Sequence, residues 1–271
     1  MIPTDSIVLK VDKEAVRRSG MYIPGDSIPD YMHISLKGKR ALYKKDLMML
    51  EMLANANWER PIYMAISVGS EEQLGMQNHF IQEGLAYRFT PFDTNKTGVK
   101  VDSEKMYDNL MHKFRFGGID KPGIYIDENA MRMCYTHRRI FSQLIQQLMA
   151  EGKREQAKEA LAYAEQMIPA YNVPYDWQNG AAQMARAYYQ LGMTAEAEAI
   201  MKALADKAVE YLNFYIRLDE GRFYISTHEF EYHWAVLDAE VKMLKENNSP
   251  MAGEYEEKLN EMYDLYLQRL K

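Results

Sequence analysis

The segment HEFEYH at residues 228–233 has the residue types of a zinc-protease motif. That motif needs two histidines at i and i+4, one above the other on a helix face. His228 and His233 are spaced i, i+5, which corresponds to about 500° of helical rotation and places the imidazoles roughly 140° apart. We therefore predict no metal site here and interpret the two histidines as surface or core residues.

Other histidine and acidic side chains have no converging partner in the sequence pattern. His79 and Glu83 stand at i, i+4, but without a third ligand at a fixed spacing they indicate a solvated pair. Asp102, Glu104 and Asp108 lie near a predicted helix start, where carboxylates interact favourably with the helix dipole. General acid–base catalysis would need a second group close to them, and no glycine-rich phosphate loop or GxSxG motif is present. The prediction is no catalytic residue, no metal and no cofactor.

Aromatic side chains are dense, with 20 Tyr and 3 Trp in the chain. Aromatic faces stack on sugars or anchor peptides, but at helical spacing they more often form a core. Tyr171, Tyr175 and Trp177 are the exception, because they fall in a connection between two predicted helices, where packing alone does not explain them. They are candidate binding residues.

Helical hairpins are the elements that would position such residues. Residues 141–169 predict two amphipathic helices, and the first repeats apolar residues at i, i+3 and i+7, namely Phe141, Leu144 and Leu148. Gly152 follows where a left-handed helix cap is needed, and the small Ala157 lets the two helices approach closely. The pattern is close to the tetratricopeptide repeat, with departures at Ile145 and Leu148.

The hairpin pattern recurs further along the chain. Tyr188 and Gly192 stand 40 residues after Leu148 and Gly152, whereas a strict tetratricopeptide repeat would be offset by 34. Six extra residues therefore lie in the connection around AYNVPYDW.

A third, degenerate hairpin is predicted to pair residues 227–246 with residues 250–270, with Asn247 in place of the turn glycine. Stacked hairpins bury one another's faces, and about three units are needed for stability. Residues 127–271 are therefore predicted to form a tetratricopeptide-like α-α superhelix, so that the chain as a whole is mostly α.

In tetratricopeptide domains the first helix of each hairpin lines a concave groove. In the first hairpin the corresponding positions are Arg139, Ser142, Gln146 and Met149, and in the second hairpin they are Asn179, Ala182, Arg186 and Tyr189. These mixed polar residues include two arginines, which suit an extended polypeptide or an acidic group. The binding candidates on this face are Arg139, Gln146, Asn179, Arg186 and Tyr189. A solvated helix face without a ligand is the alternative.

The same face of the third hairpin is apolar, with Trp234, Leu237, Val241 and Leu244. It is too apolar for open solvent, so we expect it to be either buried or a hydrophobic docking surface.

Residues 1–120 are predicted to form a small α/β unit with a loop-rich N-terminus. The predicted strands are residues 6–11, 31–36, 62–68 and 85–92, and the predicted helices are residues 43–56, 71–82 and 102–114. The helix at residues 43–56 is apolar round most of its circumference and is expected to be buried on more than one side. The strand at residues 62–68 is a compact apolar run and is also expected to be buried. The opening MIPTD is not a typical start for a folded unit, so we expect Met1 to lie inside a longer protein.

Composition narrows the function classes. A formal charge of −6 with lysines interleaved among acids argues against a nucleic-acid partner, whose phosphates require a basic patch. We find no run of 18 apolar residues that would predict a membrane span and no signal-peptide pattern. Cys134 is the sole cysteine, which excludes an internal disulfide, and its helical context predicts a buried packing role.

Four segments together resemble one known family: LYKKDLMMLEMLANANWERPIYMAISVG, FIQEGLAYRFTPF, MYDNLMHKFRFGG and YIDENAMRMCYTHRR. The family consists of large bacterial membrane proteins whose multispanning N-terminal part is similar to a protein O-mannosyltransferase-type glycosyltransferase. Its C-terminal soluble region carries tetratricopeptide-like helices, and the resemblance covers that region alone. It implies an accessory, extracytoplasmic (periplasmic) domain, and it supplies no catalytic residue because the catalytic acid of such enzymes lies in the membrane part.

The leading hypothesis is a non-catalytic interaction domain whose groove binds a polypeptide or presents an acceptor protein to a membrane glycosyltransferase. A second hypothesis is a self-contained glycan-binding or glycan-processing enzyme, with the loop aromatics as a sugar platform and two carboxyls at a set separation. A third is a structural role that stabilises a membrane partner without a ligand. If the chain stands alone, the resemblance supplies no location and a cytoplasmic protein is expected.

Overall fold

The structure is a computed structural model that describes residues 4–25 and 27–269. The chain divides into two compact units, Met1–Phe114 and Arg115–Lys271. The first unit mixes strands and helices, and the second is built from helices. The predicted fold class, a small α/β unit followed by a mostly helical part, is thereby confirmed. The predictions about the start at Met1 and about the end of the third hairpin at Leu270 fall outside the described residues.

The first unit contains two small antiparallel sheets. Strands β1 (Ser6–Lys10) and β2 (Tyr31–Ser35) form a hairpin-like pair in which Ser6 lies opposite Ser35. Strands β3 (Tyr63–Ala65), β4 (Phe80–Gln82) and β5 (Ala86–Phe89) form the second sheet in the order β3-β5-β4. The strands predicted near residues 6–11, 31–36 and 85–92 are therefore confirmed.

Short helices complete this unit: α1 (Lys13–Arg18), α2 (Lys44–Ala56), α3 (Thr94–Thr97) and α4 (Ser103–Asp108), which continues as a π-helical turn, Asn109–Lys113. Asp102 is the N-cap of α4, and its side chain accepts a hydrogen bond from the backbone N–H of Lys105 at 3.1 Å. The carboxylate therefore has the capping role that the sequence predicted.

Trp58 links the two sheets of the first unit. Its ring stacks on Phe89 with the ring centres 5.5 Å apart, and its Nε1 donates to the backbone carbonyl of Lys10 at 2.8 Å. Phe89 belongs to the buried apolar core, together with Val16, Met32, Ile34, Leu74 and Phe80. The aromatic ring and its polar N–H thus tie β1 and β5 to one core.

The predicted burial of α2 on more than one side is wrong. Leu53 is buried against the core, but Leu47, Met48 and Met52 are 55%, 56% and 57% exposed. The first unit covers a single face of this helix, so its remaining apolar side chains face outward.

Two further predictions in the first unit are wrong. The predicted buried strand at residues 62–68 is the three-residue edge strand β3, in which Tyr63 is 46% exposed, because β3 pairs with β5 on one side. The predicted helix at residues 71–82 is replaced by two 3-10 turns and β4. Leu74 and Gly75 both have positive φ, 50° and 73°, and this left-handed backbone interrupts a helix.

Glu83 is not the solvated partner of His79 that the spacing predicted. Its carboxylate is buried and accepts hydrogen bonds from the Tyr63 hydroxyl at 2.9 Å and from Lys105 Nζ at 3.1 Å, and Arg88 lies 3.8 Å away. The i, i+4 argument fails because these residues do not share a helix. His79 is half-buried, and burial lowers the pKa of its imidazole.

The second unit consists of helical hairpins. The helices are α5 (Glu128–Ala150), α6 (Arg154–Met167), α7 (Ala181–Leu191), α8 (Thr194–Ile216), α9 (Glu220–Ile225), α10 (Thr227–Glu246) and α11 (Ala252–Arg269). The pairs α5–α6, α7–α8 and α10–α11 correspond to the three predicted hairpins, whereas the short α9 was not predicted.

The turns of these hairpins use left-handed residues. Gly152 and Gly192 have φ of 73° and 79°, as the sequence predicted from the cost of that conformation for other residues. In the third hairpin the prediction is displaced by one position. Asn247 has φ of −101°, and Asn248, with φ of 54°, is the left-handed residue.

Neighbouring hairpins bury one another's apolar faces. Helix α5 packs against α6 and α7, and α8 packs against α7, α10 and α11. On α10 the side chains of Leu237, Val241 and Leu244 are buried, so the alternative that this face is a docking surface is wrong. Cys134 on α5 is buried as predicted. Within residues 4–25 and 27–269, no helix combines the length and the apolar character needed to cross a membrane.

Candidate functional site

The predicted groove face follows the neighbouring helices α5 and α7. The start of α7 lies against α5, because a Cβ on Gly180 would lie 3.0 Å from the Cα of Arg139. Arg139, Gln146 and Arg186 are exposed. The side chains of both arginines form no hydrogen bond or ion pair with any residue that the structure describes. Two adjoining helices therefore present two exposed guanidinium groups.

The other predicted groove residues are held more closely by the protein. Ser142 and Ala182 are buried. Asn179 donates its side-chain amide to Asp176 Oδ1 at 2.9 Å. Tyr189 is half-buried, and burial raises the pKa of its hydroxyl. The exposed part of the predicted face thus consists mainly of Arg139, Gln146 and Arg186.

The connection between α6 and α7 is organised by Arg138, which sequence analysis did not select. Its side chain is 1% exposed, and its guanidinium donates to three backbone carbonyls of the connection, those of Ile168, Val173 and Pro174. Arg138 lies four residues after Cys134 and three before Phe141, on the buried stripe of α5. A charged residue on an apolar stripe is the signal that could have identified it.

The loop aromatics have different environments. The Arg138 guanidinium lies over the ring of Tyr175, 5.0 Å from its centre, and the Tyr175 hydroxyl donates to the carboxylate of Glu165. The Tyr171 ring is 64% exposed, and its hydroxyl donates to the backbone carbonyl of Asp120. Trp177 is half-buried in a 3-10 turn. Tyr171 therefore presents the most open ring of the three.

Asp176 fixes the end of the connection. It accepts hydrogen bonds from the backbone N–H of Gln178 at 3.1 Å and from Asn179, and it forms an ion pair with Lys207 of α8 at 3.0 Å. Burial by itself would lower the pKa of Lys207, but the Asp176 carboxylate raises it. The loop is thereby tied to α8 as well as to α5.

A cavity of about 180 Å³ opens beside this loop, between α8 and α10. Its charged and polar lining includes Asp176, Gln178, Lys207, His233 and Glu240, and its aromatic lining consists of Trp177, Tyr211 and Tyr232. The zinc-like segment at residues 228–233 contributes Tyr232 and one of its two histidines to this lining. His233 stacks on Tyr211 with the ring centres 4.2 Å apart, whereas His228 is exposed.

Residues 1–108 match the family model described as TMEM260-associated domain 2. This TMEM260-associated match lies within the first unit and ends at the last residue of α4. No curated protein and no solved structure matches the chain. The sequence resemblance to a membrane-protein family is supported in this form, as a likeness of the first unit to a TMEM260-like family. Its similarity to a glycosyltransferase and its C-terminal position stay predictions.

Proposed function

We propose that the chain is a non-catalytic protein-interaction domain of the tetratricopeptide-like class, in which Arg139, Gln146 and Arg186 bind an extended polypeptide. The observation that carries this proposal is the pair of exposed arginines without partners on adjoining helices. A guanidinium forms paired, charge-assisted hydrogen bonds with carboxylates. An extended peptide with acidic side chains is therefore the ligand that this surface fits best.

We further propose that the domain is an accessory part of a membrane glycosyltransferase-like protein and lies on the extracytoplasmic side. The family model that matches the first unit is described as TMEM260-associated, and this description supports the membrane context. The resemblance of the four sequence segments supports the rest. In that setting the arginine surface would hold acceptor protein for the membrane part.

The test compares two double variants of the full chain. The probe is a fluorescein-labelled peptide of alternating Glu and Ser, and a peptide with Gln in place of Glu is its neutral counterpart. Arg139→Ala with Arg186→Ala should weaken binding of the acidic peptide by at least about tenfold. Arg217→Ala with Arg222→Ala removes two exposed arginines elsewhere in the second unit and should leave binding unchanged. An equal loss of acidic-peptide binding in both double variants would show that the attraction is non-specific. It would refute the assignment of Arg139 and Arg186 as the binding surface.

A glycan-binding or glycan-processing domain is the second candidate. Such an enzyme needs two carboxyls across the sugar, and the cavity beside the loop contains Asp176 and Glu240 together with three aromatic rings. Methyl glycosides are titrated into the full chain while the NMR signal of Trp177 is recorded. A shift of that signal would support this candidate. An unchanged Trp177 signal at saturating glycoside would remove it.

A further inference from the structure

Glu240 of α10 is a buried acid without a partner. Its side chain is 0% exposed, and neither carboxyl oxygen has a hydrogen-bond partner among the residues that the structure describes. Burial of a carboxyl without a partner is costly, and buried polar groups in native proteins are nearly always hydrogen-bonded. Glu240 lines the cavity between α8 and α10, but both of its carboxyl oxygens are covered, so a group that enters the cavity reaches the carboxylate only when the covering side chains move aside.

The other titratable groups around Glu240 are already engaged. On α8, Lys207 is paired with Asp176 at 3.0 Å, and Tyr211 is stacked with His233 of α10. The Tyr232 hydroxyl accepts a hydrogen bond from the Gln178 amide at 2.7 Å. On the α11 side, Tyr255 donates to Asp206 at 2.6 Å. Glu240 is therefore the one acid of the cavity lining whose charge the described residues leave without a counter-ion.

The remaining walls of the cavity suit an alkyl chain with a positive end. Leu204, Ala208 and Val236 supply apolar surface, and Trp177, Tyr211 and Tyr232 supply aromatic rings. Aromatic faces attract ammonium groups, most strongly where water is excluded. The volume of about 180 Å³ corresponds to roughly six water molecules at about 30 Å³ each, which is enough for the stem and head of a lysine side chain.

We propose that this cavity binds an alkylammonium group, the side chain of a lysine in a polypeptide, with Glu240 as its counter-ion. The methylene stem lies along Leu204, Ala208 and Val236, and the ammonium donates to the Glu240 carboxylate. The site is separate from the arginine surface on α5 and α7. Its ligand carries the opposite charge, so either site can fail its test without the other.

Ligand binding should release a proton. Burial raises the pKa of Glu240 to about 8, so the carboxyl is largely protonated at pH 7 before binding. A neighbouring ammonium favours the ionised form. The proton leaves to the buffer when the ion pair forms, and the affinity rises as the pH increases toward 8.

Titration calorimetry on the full chain at pH 7 tests the proposal with three probes: Nα-acetyl-lysine methylamide, its norleucine counterpart, which lacks the ammonium, and n-butylamine. The lysine probe should bind at least about tenfold more tightly than the norleucine probe. Its binding enthalpy should change with the ionisation enthalpy of the buffer, because a proton is released. Equal affinity for the lysine and norleucine probes would overturn the proposal. Binding of n-butylamine without binding of the lysine probe would show that the ligand is a free amine and not the side chain of a polypeptide.

Variants assign the effect to the cavity. Glu240→Gln preserves the shape and should weaken lysine binding at least about tenfold, whereas Glu246→Gln removes an exposed acid from the same helix and should have no effect. Tyr211→Ala removes an aromatic wall without changing Glu240, and it should weaken binding about threefold or more. Unchanged binding in both Glu240→Gln and Tyr211→Ala, or binding of methyl glycosides in preference to the lysine probe, would refute the ammonium site.

Discussion

The guanidinium of Arg138 lies 5.0 Å from the centre of the Tyr175 ring. The same guanidinium donates to three carbonyls of the connection that carries Tyr175. One buried side chain of α5 therefore determines the path of the connection between the first two hairpins. The contact also gives Tyr175 a packing role, whereas the sequence pattern had predicted it to be a ligand-binding residue.

Removal of this arginine should destabilise the second unit. Arg138→Met leaves the carbonyls of Ile168, Val173 and Pro174 without donors, which should cost on the order of 3 kcal/mol of unfolding free energy. Arg138→Lys should recover only part of the loss, because an ammonium cannot reproduce the planar fork of donors of the guanidinium. Denaturant unfolding followed by circular dichroism measures both. The adjacent Arg139→Met is the control and should change the free energy by less than about 0.5 kcal/mol.

Gly180 should tolerate a side chain less well than Gly152. At Gly180, where φ is 90°, an added Cβ would lie 2.6 Å from Ser142 Oγ and 3.0 Å from the Cα of Arg139. At Gly152, where φ is 73°, an added Cβ meets nothing within 4 Å. Gly152→Ala should therefore cost about 1–2 kcal/mol of backbone strain, and Gly180→Ala should cost more because α5 and α7 must separate. Equal costs in thermal unfolding would contradict the close approach.

Glu240 should make stability depend on pH. Its folded pKa of about 8 lies above the ordinary value of 4.5, so the folded state binds the proton more tightly than the unfolded state. Stability from this group is complete below pH 4.5 and is lost as the pH rises toward 8, by an amount on the order of a few kcal/mol. Relative to Glu240→Gln, the wild type should lose unfolding free energy across this range. A constant difference from pH 4 to pH 9 would show that Glu240 is not buried as described.

The cluster formed by Glu83, Arg88 and Lys105 in the first unit should be sensitive to loss of its carboxylate. Glu83→Gln leaves Arg88, which is buried, and Lys105 without their counter-ion. Loss of one partner of a buried ion pair costs about 3–5 kcal/mol. Unfolding monitored by tryptophan fluorescence measures the loss, since Trp58 packs against the core of this unit. Glu59→Gln removes an exposed acid, and a loss as large as that of Glu83→Gln would argue against the cluster.

Local signals made the helical hairpins predictable. The apolar spacing from Phe141 to Leu148 defines a buried helix face, and the positive φ at Gly152 and Gly192 is a conformation that glycine alone adopts at low cost. The N-cap at Asp102 likewise depends on backbone groups within three residues. Each of these features is decided by residues that are close in the chain.

Burial and pairing were decided by the tertiary structure. The sequence shows that α2 is apolar, but which of its faces is covered depends on the core around Leu53. Arg138 finds its carbonyl partners 30 to 36 residues away, and Glu83 finds Lys105 at a separation of 22 residues. The cavity at Glu240 exists because α8, α10 and the loop at Asp176 converge. The sequence by itself determined the long helices of the second unit and the left-handed turns at Gly152 and Gly192, since these follow from local spacing, whereas partners brought together by folding decided which charges are buried and which sites can bind.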